Sequence, residues 1–397
     1  MGAYCPLLKN KGGLLEMKVK GKKKINFFLT LLFVTLLFSF SQAWALFLVL
    51  PENHAYIFQD GANDNATIIQ ENNFNLANIY QYSLTVPVLG VLNSGNNATV
   101  KQLGNAGSLF PNSVTVYQYG AANQAQVVQS TNANGNLVEI TQIFQKNIVN
   151  VTQEGTSGIA NIYQVGSLNN ATTYQTNIKN EIILKEVGTN QAIISQTGAS
   201  NFVNASQWGS NYINVSQSGD NNNVKSSQWW QGNTINITQS GNYNNASVNQ
   251  WWGGNNAKIY QEGDYNQVSI TQWSANNATV DQPGLGNTAE ISQYIGISNK
   301  AYIYQEGDYN NATISQEGWD GVASILQTGS KNLANISQSG KTNYASVEQY
   351  TDDNISEISQ ISADNQATVV QGENGNGGYY AKVYQSGLEN KAIINQY

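Results

Sequence analysis

Residues 239–261, QSGNYNNASVNQWWGGNNAKIYQ, hold two copies of one pattern. In the first, Gln239 is followed by Gly241, Asn244, Ala246, Val248 and Gln250; in the second, Gln250 is followed by Asn255, Ala257, Ile259 and Gln261. From Asn to the closing Gln the marked residues occupy alternate positions, which in a β-strand puts all of them on one face. Gly at the third place, with Asn, Asp or Ser beside it, suits a tight corner that needs a positive φ and local side-chain bonding. Eleven residues thus read as one half-buried strand and one corner.

The same rule runs through most of the chain. With the closing Gln as anchor, and Glu186 standing in at one place, there are 30 anchors from Gln59 to Gln396, and 21 of the 29 intervals are eleven residues long. A second signal doubles the period. Trp208, Trp229, Trp230, Trp251, Trp252 and Trp273, with Tyr294, follow anchors spaced 21 or 22 residues apart, whereas the corners between them read SGD, SGN or EGD without Trp. Alternate corners therefore belong on opposite edges of a 22-residue coil.

A strand reading Asn-x-Ala-x-Ile-x-Gln buries too little apolar surface to stand alone. Two such strands facing each other enclose a thin core, and coils stacked about 4.8 Å apart continue it. Stacking lays Asn on Asn and Gln on Gln as side-chain amide ladders. The fold predicted is an all-β solenoid of cross-β character, about 15 coils of 22 residues with two strands each, roughly 70 Å long. An antiparallel meander of the same strands ranks second, since it leaves an apolar face uncovered and stacks identical side chains less naturally. The predicted ladder residues are Gln153, Gln164, Asn169, Gln175, Gln196, Asn201, Gln207, Gln228, Asn233, Gln239, Asn244, Gln250, Asn255, Gln261, Asn266, Gln272, Gln305, Asn310, Gln316, Gln327, Asn332, Gln338, Asn343 and Gln349.

Composition agrees with an ordered array. Charged residues are only 11%, there is no Arg, and 40% of the chain is hydrophobic, too much apolar content in too strict a period for disorder. Met17 opens a basic segment, MKVKGKKK, that leads into the apolar run INFFLTLLFVTLLFSF and then SQAWA. These are the parts of a secretory signal peptide, residues 1–45, with cleavage expected after Ala45 and residues 1–16 read as a misassigned upstream start. Removing it takes away the single Cys, Cys5, and leaves 11 Lys against 24 acidic residues, a net charge near −13. Nucleic acid is an unlikely partner on that balance. Residues 46–117 form a first, irregular set of repeats, with Pro87, Gly90 and Pro111 and longer intervals; residues 118–397 form the regular solenoid, and no capping domain is expected after Gln396.

QEGDYNNATISQ (305–316) and QTGSKNLANISQ (327–338) closely resemble the repeat of curlins, the subunits of bacterial curli fibres. The resemblance covers about residues 53–396. It implies a secreted, extracellular protein exported through a dedicated outer-membrane pore. It also implies a nucleating or other curlin-like partner, and self-assembly into amyloid fibres that serve adhesion, aggregation and biofilm. The chain carries many more repeats than a usual curlin and lacks a Gly-rich segment after the leader. Corners such as EGDYN (262–266) look more like those of a minor, nucleating subunit.

Nothing points to catalysis or to a cofactor. The single His, His54, falls at an outward place, and no nucleophile, phosphate-loop or metal motif is present. Acidic corners such as Glu262 with Asp264 read as solvated turns that discourage runaway pairing rather than as calcium sites. Asn-x-Ser/Thr triplets at Asn65, Asn170, Asn245 and Asn311 are by-products of the repeat. The alternative function is a monomeric solenoid adhesin that binds polysaccharide along the Trp edge; the plainer reading is that those rings stack on one another. Ice binding is disfavoured because the outward places mix Thr, Ser, Asn, Lys, Glu and Tyr.

Overall fold

A computed structural model describes residues 14–20, 53–72, 74–83, 95–104, 111–130, 133–373 and 377–397. Apart from 14–20, the predicted signal peptide and its cleavage point at Ala45 lie outside the described residues, as do Pro87 and Gly90. Every regular element among the described residues is a strand. They build a β-solenoid of about 15 turns with two strands per turn. The chain divides into two units, Met1–Asn180 and Glu181–Tyr397.

In the first unit successive strands alternate between two sheets. One holds His54–Asp60, Asn75–Tyr82, Asn112–Ala121, Leu137–Gln145 and Ile159–Ser167, all parallel. The other holds Asn65–Glu71, Asn97–Gln102, Gln124–Gln129, Ile148–Thr156 and Asn170–Ile178, also parallel. An additional strand, Leu14–Lys20, pairs antiparallel with Asn65–Glu71. The second unit repeats the plan, with ten parallel strands in each sheet between Glu181–Gly188 and Lys391–Gln396. Parallel pairing rules out the antiparallel meander. It follows from the 22-residue period, which lays each strand over its counterpart one turn away, so that Gln239 faces Gln261 and Gln250 faces Gln272.

The alternation of the sequence becomes an alternation of burial. In Asn256–Glu262 the residues Ala257, Ile259 and Gln261 are buried and their neighbours are not. Each fully buried Ile or Val, such as Val248 or Ile259, contributes about 1.5–3 kcal/mol. The loosened spacing near residues 81–118 lies between strands rather than within them. Gln70 still bonds Gln102, and Gln81 still bonds Gln118, at 2.8 Å each, although 32 and 37 residues separate the partners. Connections absorb the extra length, and the strands keep their faces.

The corners explain their glycines by close approach as well as by conformation. Gly241, Gly263 and Gly307 have φ of 112°, 97° and 100°. A Cβ on Gly241 would stand 2.1 Å from the Gly263 carbonyl oxygen of the next turn. A side chain there would force two turns apart.

Candidate assembly site

The surface through which one turn meets the next is built from two kinds of amide column. All 24 ladder residues predicted from the sequence are buried, none more than 3% exposed. In the second unit Gln207 donates to Gln228 at 2.8 Å, Gln228 to Gln250 at 3.0 Å, and Gln250 to Gln272 at 2.9 Å, each from Nε2 to Oε1. The other sheet carries the same column, through Gln217, Gln239 and Gln261 at 2.8 Å per step. The second amide hydrogen crosses the core: Gln250 Nε2 donates to the Thr234 carbonyl at 3.1 Å, and Gln239 Nε2 to that of Asn223 at 3.3 Å. Each Gln thus joins adjacent turns and also the two sheets. The first unit has the same columns, for example Gln118 to Gln142 and Gln142 to Gln164.

The Asn columns are bonded differently from the side-chain ladder expected. Asn255 Oδ1 accepts the backbone N–H of Asn276 at 3.1 Å, and Asn244 Oδ1 accepts that of Asn266 at 3.0 Å. The Nδ2 group turns to corner carbonyls, as from Asn244 to Gly263 at 2.7 Å and from Asn255 to Trp251 at 2.8 Å. Only some turns add a side-chain to side-chain bond, such as Asn255 to Asn233 at 3.0 Å. Because the next turn need supply only a backbone N–H, Gly321 can occupy the Asn place and still donate to Asn299 Oδ1 at 2.9 Å. Further members that the sequence reading did not single out include Asn222, Asn276, Gln282 and Gln293, all buried. Their spacing of ten or eleven residues from the preceding member was the available signal.

Two acids stand in these amide columns. Glu186 is buried opposite Gln207, and the Gln207 Oε1 has no donor. A Gln at this place would present an Nε2 amide to the next member of the column, as Gln207 does to Gln228. Asp64 occupies an Asn place, its Oδ1 accepting the Asn96 N–H at 2.8 Å. Burial pushes the Asp64 carboxyl above its ordinary range, and the charge of Asp60 adds to the rise, against the hydrogen bonds from Asn96 and Ser83.

Outside the core, aromatic rings form columns of their own. Trp208 stacks on Trp229 at 4.9 Å and Trp229 on Trp251 at 5.4 Å, with interplanar angles of 13° and 3°. Trp230 and Trp252 form a second row at 5.6 Å, while Trp251, Trp273 and Tyr294 continue the first at tilted and edge-on angles. The Lys185 ammonium lies 5.0 Å from the centre of the Trp208 ring. Several outward tyrosines bond carboxylates, and the 2.7 Å bond from Tyr350 to Glu348, more than its partial burial, pushes the Tyr350 phenol up to about 12. His54 is exposed, and no group of three or more His, Cys, Asp or Glu is arranged to hold a metal among the described residues.

Residues 295–318 and 329–361 match the family model of the curlin associated repeat. Curated protein sequences give no match to the chain. The matched segments cover the strands Leu333–Lys341 and Ile355–Ile361 and all but the last residue of Asn311–Trp319, whose register and Gln column are those of the strands before and after them. Residues 295–361 thus carry curlin repeats, and the strands before and after them repeat the same pattern.

Proposed function

We propose that the chain is a secreted structural subunit that assembles with copies of itself into curli-like amyloid fibres at the cell surface, for adhesion, aggregation and biofilm matrix. The observation that carries this reading is the sameness of the contact between turns. Within each unit most neighbouring turns meet through the same Gln-to-Gln bonds, the same Asn-to-backbone bonds and the same layers of Ala and Ile or Val, so a turn from a second copy can make the contact that a turn of the same chain makes. The curlin repeats at 295–361 support the same reading, and by analogy with curlins the subunit passes an outer-membrane pore after cleavage at Ala45 and meets a nucleating curlin-like partner.

Purified residues 46–397 are expected to form fibres with a meridional spacing of about 4.7–4.8 Å. A chain that stays monomeric at high concentration, with or without added fibre seeds, removes the proposal. For the polysaccharide-adhesin reading the inner Trp row offers little, since sugar stacking needs a free ring face and both faces of Trp229 are covered by Trp208 and Trp251; the outer pair, Trp230 and Trp252, is 62% and 53% exposed.

A further inference from the structure

One corner column carries exposed tyrosines in a geometry suited to a covalent link. Asn221, Tyr243, Tyr265, Gly286, Tyr309 and Lys331 occupy successive turns in one backbone conformation, with φ of 58°, 58°, 60°, 66°, 57° and 58°. Each N–H donates to a carbonyl of the preceding turn: Tyr243 to Asp220, Tyr265 to Asn242, Gly286 to Asp264 and Tyr309 to Leu285, all at 2.8–2.9 Å. The rings of Tyr243 and Tyr265 stack at 4.9 Å with planes 1° apart, and the residues are 51% and 55% exposed. Rings repeated by a turn-to-turn translation hold equivalent carbons at about the ring separation, so parallel stacking with centroids 4.9 Å apart brings the ortho carbons of the two phenols near each other. Tyr309 is equally exposed, at 60%, but Gly286 stands between it and Tyr265. The Tyr309 ring lies where a Gly286 side chain would be, its carbons 2.8 Å from an added Cβ.

We propose that Tyr243 and Tyr265 form an oxidative cross-linking site, joined as dityrosine by hydrogen peroxide with a haem peroxidase. Each phenol loses one electron and one proton to give a tyrosyl radical with spin density on its ortho carbons. The two radicals join in one carbon–carbon bond, and each bonded carbon returns its hydrogen to the phenol oxygen, which restores both aromatic rings. The two electrons and two protons removed reduce one peroxide to two waters. A corner position gives the rings freedom to close the remaining gap, while the stack keeps them paired for the short life of the radicals. The link ties one turn to the next within one chain and needs no second copy, so its test is separate from that of fibre assembly. It is also a kind of cross-link open to a chain whose only Cys is Cys5, for which an intrachain disulfide is impossible.

The experiment treats dilute, monomeric full-length chain with peroxide and a peroxidase, isolates the monomer band, and maps cross-linked peptides by mass spectrometry alongside dityrosine fluorescence. The expected result is a Tyr243–Tyr265 linkage at least tenfold more abundant than Tyr265–Tyr309. It should be lost in Tyr243→Phe and in Tyr265→Phe, two changes that leave stacking and fold intact by circular dichroism. Absence of the Tyr243–Tyr265 linkage in wild type, or equal yields of the two linkages, overturns the proposal.

Discussion

A column glutamine accepts from one turn, donates to the next and donates across the core, and a hydrocarbon of similar bulk can do none of these. Replacing Gln250 and Gln261 by Leu strands the Gln228 and Gln239 amide hydrogens and the Gln272 and Gln282 carbonyl oxygens. Each stranded buried group costs about 1–3 kcal/mol. The double variant is expected to unfold at lower denaturant concentration and to grow dye-binding fibres more slowly, whereas Thr238→Ala and Ser247→Ala, on the outward face, should stay within about 0.5 kcal/mol of wild type. Equal growth and stability in all of these would show that the columns do not hold the turns together. The two acids give the opposite test. Glu186→Gln supplies the donor that Gln207 Oε1 lacks and is expected to add about 1–3 kcal/mol, read from the urea midpoint. For Asp64 the folded carboxyl sits above its ordinary value of 3.8, so the fold disfavours the ionised form. Stability should therefore decline as pH rises from the ordinary value through the raised one, and Asp64→Asn should abolish that decline while matching wild type below it. The Gln columns were legible in the sequence because alternation alone fixes which face a strand residue takes. The Asn bonding was not, because it depends on where the corner backbone of the next turn places its N–H and C=O groups.

At the scale of strand and corner, the glycines were legible as corner residues but for half of their reason. Positive φ was readable from Gly beside Asn or Asp; the approach of the next turn's carbonyl was not, since it comes from stacking. The two parts separate in a pair of variants. Gly241→Ala meets both the left-handed backbone and the Gly263 oxygen at 2.1 Å, whereas Gly387→Ala, with φ of 110°, meets nothing nearer than the Asn390 side chain at 3.5 Å. The conformational part alone is about 1–3 kcal/mol. Gly387→Ala is expected to cost that much in chemical denaturation and Gly241→Ala clearly more; equal costs would mean that the carbonyl contact yields without strain. The antiparallel strand Leu14–Lys20 was not legible at all, because it has neither the Asn nor the closing Gln of the repeat pattern.

At the scale of the whole solenoid, the period of 22 rather than 11 has a consequence that deletions can read. Strand cores are nearly alike in both sheets, but the corners are not: the edge after Gln228, Gln250 and Gln272 carries Trp, and the edge after Gln239 and Gln261 carries Ser-Gly or Glu-Gly. Deleting residues 245–266 removes one full turn and joins Asn244 to Gln267, which already pairs in register with Asn245. Trp229 then meets Trp273, and the indole column continues with one ring fewer. Deleting residues 245–255 removes half a turn. Asn256–Glu262 then takes the vacated place, every later strand changes sheet, and Trp273 moves to the edge opposite Trp229. Since stability in a stacked array is close to a sum over neighbouring turns, the full-turn deletion should lower it by one turn's increment and keep the near-ultraviolet exciton signal of stacked indoles. The half-turn deletion should lose that signal beyond Trp208 and Trp229 and melt at lower temperature despite being eleven residues longer. Indistinguishable spectra and melting temperatures for the two deletions would show that either edge accepts either corner, and that the repeat is eleven residues after all.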